Sequence, residues 1–339
     1  MASVASMVAS GDSAAVASRL VGRELTEERA ITVDQSNYSV VVGDTTNSEQ
    51  VIVKWLRPPV LAPHPGVQLL RHLASRGFIE MPTYIGSEER DELVLATVSE
   101  FVPGAQDGWD WFVDDLAVHL RGERTLVDLV DWAARMGAVT GRLHTALADM
   151  QPTTVAARTY HAIAIERLDD ALRTVHGEEG VRLHALVPAV LDALSPLESG
   201  ALLAAHRIHG DLHAGQFLRA GNRLLVTDFD GNPLTKREAR LMPNSPLVDV
   251  ASMLQSISHV GRITLKRRHP DRVGDVEQFV AAGTAAALEA YRSVHPVSDD
   301  LVVALRVAQE LHEYCYAATH LPRWLYVPDA ALPALLRDL

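Results

Sequence analysis

Apolar and polar residues alternate with a period of two in much of the first 103 residues, which predicts β-strands there. Residues 24–60 and 78–103 are β-rich, and the apolar triplets 40–42 and 51–53 flank a polar cluster. That arrangement predicts a hairpin. Residues 67–74 carry apolar residues at helical spacing and are followed by Gly77, which predicts one helix. We therefore expect a β-rich N-terminal lobe over residues 1–103, with residues 1–23 as a leader or a short helix.

From residue 104 onward the apolar residues recur at helical spacing, and no internal repeat interrupts them. Pro103 and Gly104 end the preceding strand, so the lobe boundary is placed there. The predicted helices cover residues 107–120, 125–147, 170–194, 247–260, 274–294 and 299–319. The expected fold class is α+β, with a larger α-helical C-terminal lobe over residues 104–339 that includes a strand–loop segment at 208–232.

That strand–loop segment carries the most informative spacing in the chain. Asp211 lies in a glycine-flanked stretch, Gln216 follows five residues later, and Asp228 ends an apolar run twelve residues further on. Protein kinases place a catalytic Asp and a metal-binding Asn at the first of these offsets, and a second Asp completes their metal site. Carboxylate and carboxamide oxygens suit Mg²⁺. The spacing predicts phosphoryl transfer, with Asp211 as the base and Gln216 and Asp228 as ligands of one or two Mg²⁺ ions.

Asp230 replaces the glycine of the D-F-G pattern that kinases carry after their metal-binding aspartate. Two interpretations remain open for it. Its carboxylate assists the second metal ion, or it only forms hydrogen bonds within the loop.

A lysine at the end of a β-branched strand supports the same chemistry. The sequence V-I-V-K at residues 51–54 has the form of the kinase strand whose lysine pairs with the α- and β-phosphates of ATP. No G-x-G-x-x-G loop precedes it, so Asn37, Ser39 and nearby backbone N–H groups would contact the phosphates. The helix after Lys54 offers no glutamate as its partner; Gln68 and His72 are the nearest polar candidates, and the partner stays open.

Composition excludes several other classes of protein. The net charge of −12 argues against a general nucleic-acid binder, which needs a basic face. The single cysteine, Cys315, allows neither an internal disulfide nor a cysteine metal site and fits a reducing cytoplasm. No apolar run approaches the roughly 20 residues that span a bilayer, and residues 1–18 lack the basic region of a signal peptide. We expect a cytoplasmic protein with small-molecule partners, no nucleic acid and no membrane.

The residues around Asp211 resemble those of the aminoglycoside-phosphotransferase-like kinases. The resemblance rests on H-G-D-L-H at 209–213 with Gln216, on T-D-F-D at 227–230, and on the flanking helices at 142–147 and 246–251. Within this superfamily the chain is similar to maltokinases and their bacterial glucosamine-kinase relatives. The stretches that carry this finer similarity are 33–39, 84–86, 101–109 and 321–328. The resemblance covers roughly residues 30–330 and implies a bilobal eukaryotic-protein-kinase-like fold that uses ATP and Mg²⁺ to phosphorylate a sugar hydroxyl.

The resemblance also implies roles for residues whose types alone say little. Backbone groups of Glu100 and Val102 would hold the adenine edge of ATP. His209, His144 and Asp249 would brace the catalytic loop. The acceptor would bind in the helical lobe, where an acidic group suits an amino sugar and an aromatic face suits a sugar ring. The candidates there are Glu310, Glu313, Tyr314, Arg323 and Trp324; the alternative is a solvated acidic helix face beside a core tryptophan.

Several functions remain open at this point. Maltokinases carry an N-terminal cap, and only about 30 residues precede the hairpin here, which favours a smaller acceptor. Glucosamine phosphorylated at O6 is the first choice, with maltose, another sugar or an aminoglycoside as alternatives. Residues 228–230 also fit the D-x-D of a metal-dependent glycosyltransferase, and a non-catalytic pseudokinase is a third class; both leave Asp211, Gln216 and Lys54 unexplained. A zinc site at His209 and His213, with His206 nearby, is disfavoured because Gly210 interrupts the helix that such a pair needs.

Overall fold

The computed structural model describes residues 12–31, 37–44 and 50–337. Helices and strands are numbered here in chain order. They are α1 (Asp12–Val21), β1 (Glu28–Ile31), β2 (Tyr38–Val42), β3 (Val51–Leu61), α2 (Pro65–Ser75), β4 (Tyr84–Arg90), β5 (Leu93–Glu100), α3 (Gly108–Leu120), α4 (Leu126–Leu147), β6 (Thr153–Ala156), α5 (Ala157–Thr174), α6 (Gly177–Leu194), β7 (Leu202–Ala205), β8 (Phe217–Ala220), β9 (Arg223–Val226), α7 (Arg237–Arg240), α8 (Pro246–Arg267), α9 (Val273–Arg292), α10 (Asp299–His320) and α11 (Tyr326–Arg337), with 3₁₀ turns at Ser195–Glu198, Ala214–Gln216 and Pro322–Trp324.

The chain forms two compact units. The first contains the described residues of Met1–Ala105 together with Leu218–Leu241, and the second contains Gln106–Phe217 and the described part of Met242–Leu339. The sequence placed all of 208–232 in the C-terminal lobe, whereas the structure groups residues from 218 onward with the first unit. One reason is a backbone hydrogen bond, in which the N–H of Val226 donates to the carbonyl oxygen of Glu80 at 2.8 Å.

The first unit is built on an antiparallel five-stranded sheet with the order β1-β2-β3-β5-β4. The predicted hairpin is its centre, where Ser39 of β2 lies opposite Lys54 of β3. Its turn, residues 45–49, lies outside the described residues, as do residues 33–36 of the 33–39 stretch that carried the resemblance. The alternation of apolar and polar residues therefore predicted both strands of the hairpin, including β3, which carries Lys54.

Helix α1 covers part of this sheet. Its buried Val16 and Ala17 pack in the same cluster as Trp55, whose indole Nε1–H donates to Ser13 Oγ at 3.0 Å. Of the two interpretations of residues 1–23, the described part is a helix, and residues 1–11 lie outside the described residues. A ten-residue helix is only marginally stable in isolation. Packing of its apolar face, which includes Val16 and Ala17, against the sheet therefore stabilises α1.

The second unit is helical, and α8 is its most buried helix, with an unbroken run of buried residues from Gln255 to Thr264. The single helix predicted over 170–194 is wrong. The structure has α5 and α6, separated where Val175 adopts an extended backbone. Helix α11 was not predicted because it contains Pro328 and Pro333, which oppose helix formation in isolation. The short pair β6–β7 was also missed.

The predicted fold class is confirmed, since a β-sheet unit comes first and the second unit is helical. In the part of the chain that the structure describes, no helix has both the length and the apolar character needed to cross a bilayer.

Candidate active site

In the second unit, the loop that precedes Gln216 is fixed by one buried carboxylate. Asp249, in the first turn of α8, accepts hydrogen bonds at 2.8 Å from the backbone N–H groups of both His209 and Gly210. It is only 1% exposed. Because a carboxylate near a helix N-terminus is also favoured by the helix dipole, Asp249 sets the path of the chain immediately before Asp211.

His144 holds this carboxylate from the other side. Its Nε2 lies 3.2 Å from Asp249 Oδ2, and its Nδ1 lies 2.9 Å from the hydroxyl of Tyr291. Burial alone would raise the pKa of Asp249, but the hydrogen bond from His144 and the neighbouring histidines hold it below its usual value. Asp249 is therefore ionised and accepts three hydrogen bonds. Its role is to fix the conformation of the loop.

The backbone N–H of Asp211 faces His209, whose Nδ1 lies 3.3 Å away. The chain then turns through His213 into the 3₁₀ turn that carries Gln216, and the N–H of Ala214 donates to Ser256 Oγ at 2.8 Å. These bonds fix the backbone on both sides of Asp211. The carboxylate proposed as the base therefore projects from a segment with little conformational freedom.

Trp109 is a contact of this loop to which the sequence assigned no role, although it lies in the 101–109 stretch that carried the resemblance. Its ring stacks on the imidazole of His213 with a centroid distance of 5.4 Å and an interplanar angle of 28°. Trp324 meets Trp109 edge-on at 6.2 Å. These two indoles and Arg267 line a cleft of about 240 Å³. Trp324 therefore contacts Trp109, which in turn contacts the loop that contains Asp211.

An acidic cluster on α10 lies close enough to Asp211 to feel its charge. Glu310 is fully buried, and its Oε1 accepts a hydrogen bond at 2.8 Å from Nε2 of His259. Burial alone would lower the pKa of His259, and the charge of Glu310 overcomes this and raises it. The second oxygen of Glu310, Oε2, is buried without a hydrogen-bond partner among the described residues.

Glu313 is the other member of this acidic cluster. Burial raises the pKa of its carboxyl, and the negative charges of Glu310 and Asp211 raise it further, while His259 acts in the opposite direction. Sequence reasoning named Glu310 and Glu313 but gave no role to His259, which is 51 residues away from Glu310 in the chain.

The remaining acceptor candidates are distributed differently. Tyr314 is fully buried in the hydrophobic core, and its hydroxyl lies 3.4 Å from Asp329. We correct its assignment to the acceptor site, because a ring enclosed on all sides cannot contact a sugar. Arg323 is exposed, and Trp324 is half-buried.

In the first unit, Lys54 lies between two carboxylates that the sequence assigned to metal binding. Its Nζ is 2.8 Å from Asp228 Oδ1 and 3.0 Å from Asp230 Oδ2. Burial alone would lower the pKa of Lys54, but Asp230 and Asp228 raise it well above its ordinary value. The partners of Lys54 are thus these aspartates, and two carboxylates converge on one cationic position. Mg²⁺ in phosphoryl-transfer enzymes is commonly held by one or two carboxylates plus phosphates and water, so this pair fits such an ion.

The backbone around these aspartates is unusual. Asp228 has φ of +58°, a left-handed conformation that costs a non-glycine residue of order 1–3 kcal/mol and is often found at functional sites. A Cβ added at Gly66 would lie 2.3 Å from Asp230 Oδ1, so glycine is required there. His64 caps α2 by accepting the N–H of Val67, and Arg240 donates to the backbone carbonyl oxygen of Asp230 at 2.7 Å. The sequence gave no role to His64, Gly66 or Arg240.

The predicted nucleotide contacts also belong to the first unit. Asn37 is half-buried, and Ser39 is buried opposite Lys54. The N–H of Glu100 donates to the carbonyl oxygen of Thr83 at 2.9 Å, and its carboxylate accepts a bond from Arg223 at 2.8 Å. Because the N–H of Glu100 already donates to Thr83, it is not available to a nucleotide base, and the predicted role of this N–H is corrected.

Across the described residues, no three His, Cys, Asp or Glu side chains form a metal cluster. The three histidines near Asp211 instead bond locally: His206 to the carbonyl oxygen of Arg207, His209 to the N–H of Asp211, and His213 to the N–H of Gly215.

Residues 27–297 match the model of the phosphotransferase enzyme family. The chain belongs to this family. It is therefore an enzyme, and the prediction of an ATP-dependent sugar kinase is confirmed.

Two curated relatives are similar over most of the chain. A glucosamine kinase of Streptacidiphilus jiangxiensis is 39% identical, over 100% of this chain and 80% of the relative. A glucosamine kinase of Mycolicibacterium smegmatis is 41% identical, over 92% of this chain and 80% of the relative. A solved glucosamine kinase in complex with glucosamine, ADP and inorganic phosphate superposes with a TM-score of 0.84 at 36% identity, covering 96% of this chain and 83% of that chain.

Proposed function

We propose that this phosphotransferase is an ATP- and Mg²⁺-dependent glucosamine kinase that forms glucosamine 6-phosphate. Two glucosamine kinases at 39% and 41% identity support the choice of acceptor. Binding of ATP is supported by the related structure that contains ADP. We further propose a cytoplasmic location, on the basis of its single cysteine.

The observation that carries the acceptor is the surplus of negative charge around Asp211. Glu313 interacts electrostatically with the carboxylates of Glu310 and Asp211, and His259 offsets part of this repulsion. The pKa of Glu313 is raised first by burial and then by the charges of Glu310 and Asp211. A cation such as the ammonium group of glucosamine beside the half-buried Glu313 would offset the repulsion between these carboxylates.

In the proposed mechanism Asp211 accepts a hydrogen bond from the acceptor hydroxyl and takes its proton as the phosphoryl group transfers. The transition state is loose, so holding that hydroxyl in line matters more than early deprotonation. The fixed backbone on both sides of Asp211 serves this purpose. Trp324 offers an aromatic face to the sugar ring, and Arg323 is retained as a contact to sugar or phosphate.

Nucleotide binding is assigned to residues 1–103, and acceptor binding to the C-terminal lobe from residue 104 to 339. Lys54 neutralises phosphate charge, Asn37 and Ser39 contact the phosphates, and the Glu100–Val102 segment holds adenine. Gln216 and Asp228 would ligate Mg²⁺, with Asp230 at a second ion. When bound, Mg²⁺ would offset the charge on the β- and γ-phosphates. Lys54 also offsets the negative charge of Asp228 and Asp230, to which it is ion-paired.

The proposed function is tested by ADP release with ATP and Mg²⁺ on glucosamine, glucose, N-acetylglucosamine, maltose and kanamycin. We expect strong turnover of glucosamine, weak turnover of glucose and none of maltose. Preferred turnover of maltose or kanamycin would retain the kinase and overturn the acceptor. Absence of turnover on every compound would overturn the proposal.

The acidic cluster is tested by Glu313→Gln, which keeps the shape of the side chain and removes its charge. A hydrogen bond to a charged group contributes about 1.5–3 kcal/mol, so KM for glucosamine should rise by about 10-fold to 100-fold. The kcat/KM for glucose should change little, because glucose has no ammonium group. Glu289→Gln, on the exposed face of α9, is the matched control. Equal losses for both sugars would show that Glu313 does not recognise the amino group.

A further inference from the structure

His213 lies between the proposed base and a proposed metal ligand, and the mechanism above gives it no role. Its Nδ1 accepts the backbone N–H of Gly215 at 3.1 Å, which caps the 3₁₀ turn that carries Gln216. Its Nε2 lies 3.4 Å from the side-chain amide nitrogen of Gln216. Trp109 stacks on the face of the ring. The imidazole is therefore held in a defined orientation with one ring nitrogen toward Gln216.

Gly215 makes this arrangement possible. A Cβ at that position would lie 2.5 Å from Trp109 Nε1 and 2.9 Å from His213 Cε1, closer than packed atoms allow. The turn, the indole and the imidazole thus pack against each other without room for another atom, and the ring has little freedom to rotate away from the turn.

The hydrogen bonds determine which nitrogen of His213 carries the proton. A neutral imidazole has one N–H donor and one acceptor, and an imidazolium has two donors. Because Nδ1 accepts the N–H of Gly215, the ring is neutral and the proton resides on Nε2. A donor therefore points at the carboxamide of Gln216.

Two donors cannot form a hydrogen bond, so the oxygen of the Gln216 carboxamide belongs on the side of His213. The oxygen and nitrogen of a carboxamide have nearly the same shape, and their assignment follows from the hydrogen-bond network. Turning the carboxamide by half a rotation places Oε1 opposite the Nε2–H of His213. A carbonyl oxygen has two lone pairs, so an oxygen that accepts this bond can also coordinate a cation.

We propose that His213 is a positioning residue that orients the carboxamide of Gln216 so that its oxygen binds the magnesium ion. The inference rests on the metal-ligand role given to Gln216 under the proposed function. Gln216 has one more rotatable bond than the asparagine at the corresponding place in protein kinases, so its oxygen needs an additional restraint. Groups that hold a ligating atom from behind typically change metal affinity by about 10-fold to 100-fold when they are removed.

Two substitutions separate the two ring nitrogens. His213→Asn places an amide oxygen near the position of Nδ1, and keeps the cap on Gly215 while removing the donor toward Gln216. His213→Gln places an amide nitrogen near the position of Nε2, and keeps the donor while weakening the cap. The readout is Mn²⁺ binding to the full chain with the ATP analogue AMP-PNP, measured by electron paramagnetic resonance, together with the melting temperature and AMP-PNP affinity without metal.

We expect H213N to bind Mn²⁺ about 10-fold or more weakly, with a melting temperature that falls no further than that of H213Q, because both variants lose the stacking on Trp109. We expect H213Q to keep most of the Mn²⁺ affinity even where its melting temperature falls. Metal-free AMP-PNP affinity should be unchanged in both. Wild-type Mn²⁺ affinity in H213N, or equal losses in the two variants, would overturn the inference.

Q216A distinguishes the inference from the function on which it rests. When Q216A and the double variant H213N/Q216A bind Mn²⁺ equally weakly, His213 acts through Gln216 as proposed. A further loss in the double variant would overturn the positioning role alone. Unchanged Mn²⁺ affinity in Q216A would remove the metal-ligand role of Gln216, and the inference with it.

Discussion

Two aspartate clusters, one in each unit, differ in how completely their charge is satisfied. In the second unit, Asp249 is 1% exposed and accepts bonds from two backbone N–H groups and a histidine. In the first unit, the Asp228 side chain is 45% exposed, bonds to Lys54, and sits on a left-handed backbone. The buried Asp249 fixes the loop before Asp211, and substitutions there should be destabilising. The exposed Asp228 leaves a carboxylate accessible to ligands.

The difference follows from desolvation. A buried charge is costly unless its partners are fixed, so Asp249 and its donors are expected to behave as one rigid element. An exposed ion pair contributes little to stability and can exchange partners. We therefore expect changes at Asp249 to be seen first in stability, and changes at the Lys54 cluster to be seen in catalysis.

The largest effect should come from the residue that the Asp249 cluster positions. Asp211→Asn removes the proposed base and should lower kcat by about 10² to 10⁴, while the melting temperature stays close to that of the wild type. Steady-state kinetics with glucosamine and thermal unfolding measure the two quantities. Asp192→Asn, on an exposed part of α6, is the control. A kcat close to that of the wild type would refute the assignment of Asp211.

Substitutions at Asp249 and Asp228 should have different effects, the first mainly on stability and the second mainly on catalysis. Asp249→Ala leaves His144 and two backbone donors buried without their partner, which should lower the free energy of unfolding by about 3–5 kcal/mol and the melting temperature by about 10 °C. Asparagine tolerates a left-handed backbone, so Asp228→Asn should lower the free energy of unfolding by at most about 1 kcal/mol. It should still abolish most of the activity. Calorimetry measures the free energy of unfolding of both variants. Equal losses of stability in the two would contradict the proposed difference between the clusters.

Lys54→Met tests the catalytic side of the comparison. Loss of one preorganised electrostatic contact should reduce kcat by about 10² to 10³ and raise KM for ATP, because the phosphates lose a cationic partner. Stability should fall less than for Asp249→Ala, because the carboxylate of Asp228 stays solvated and only the partly buried Asp230 loses its cation. The exposed Lys236→Met is the matched control. Equal activities for the two methionine variants would contradict the role of Lys54.

The smallest effect should be a pH dependence of the buried pair His259–Glu310. The pKa of His259 is raised in the folded state by Glu310 although burial opposes this. The stabilisation is therefore fully present below the ordinary histidine pKa of about 6.5 and is lost as pH rises through the folded value. The melting temperature should decline above about pH 6.5, and His259→Gln should flatten that decline. An identical decline in His259→Gln would assign it to another group.

Much of the site was accessible to sequence reasoning because its parts are local. The strand that carries Lys54 and the loop around Asp211 were predicted from alternation, glycine placement and spacing, and the structure contains both. Their chemical roles stay predictions. The burial of Tyr314 was also readable, since Glu310, Tyr314 and Ala317 share one face of α10 at helical spacing and all three are buried.

Other features could not be predicted because they join distant parts of the chain. Lys54 meets Asp230 across 176 residues, and His144 meets Asp249 across 105. Helix α11 forms despite two prolines because Val327 and Leu332 pack in the core. Such contacts depend on how the elements pack, and the packing is not encoded in the spacing around any one residue.

The sequence by itself determined the β-rich first part of the chain, most of the long helices, the phosphoryl-transfer spacing and the resemblance that led to the family, because each depends on residues near one another in the chain. Only the tertiary structure decided that Asp228 and Asp230 both hold Lys54, that the charge of Asp211 acts on Glu313, and that one ring nitrogen of His213 lies beside the carboxamide of Gln216. Burial and hydrogen-bond partners set charge and proton position, and they exist only once the chain is packed.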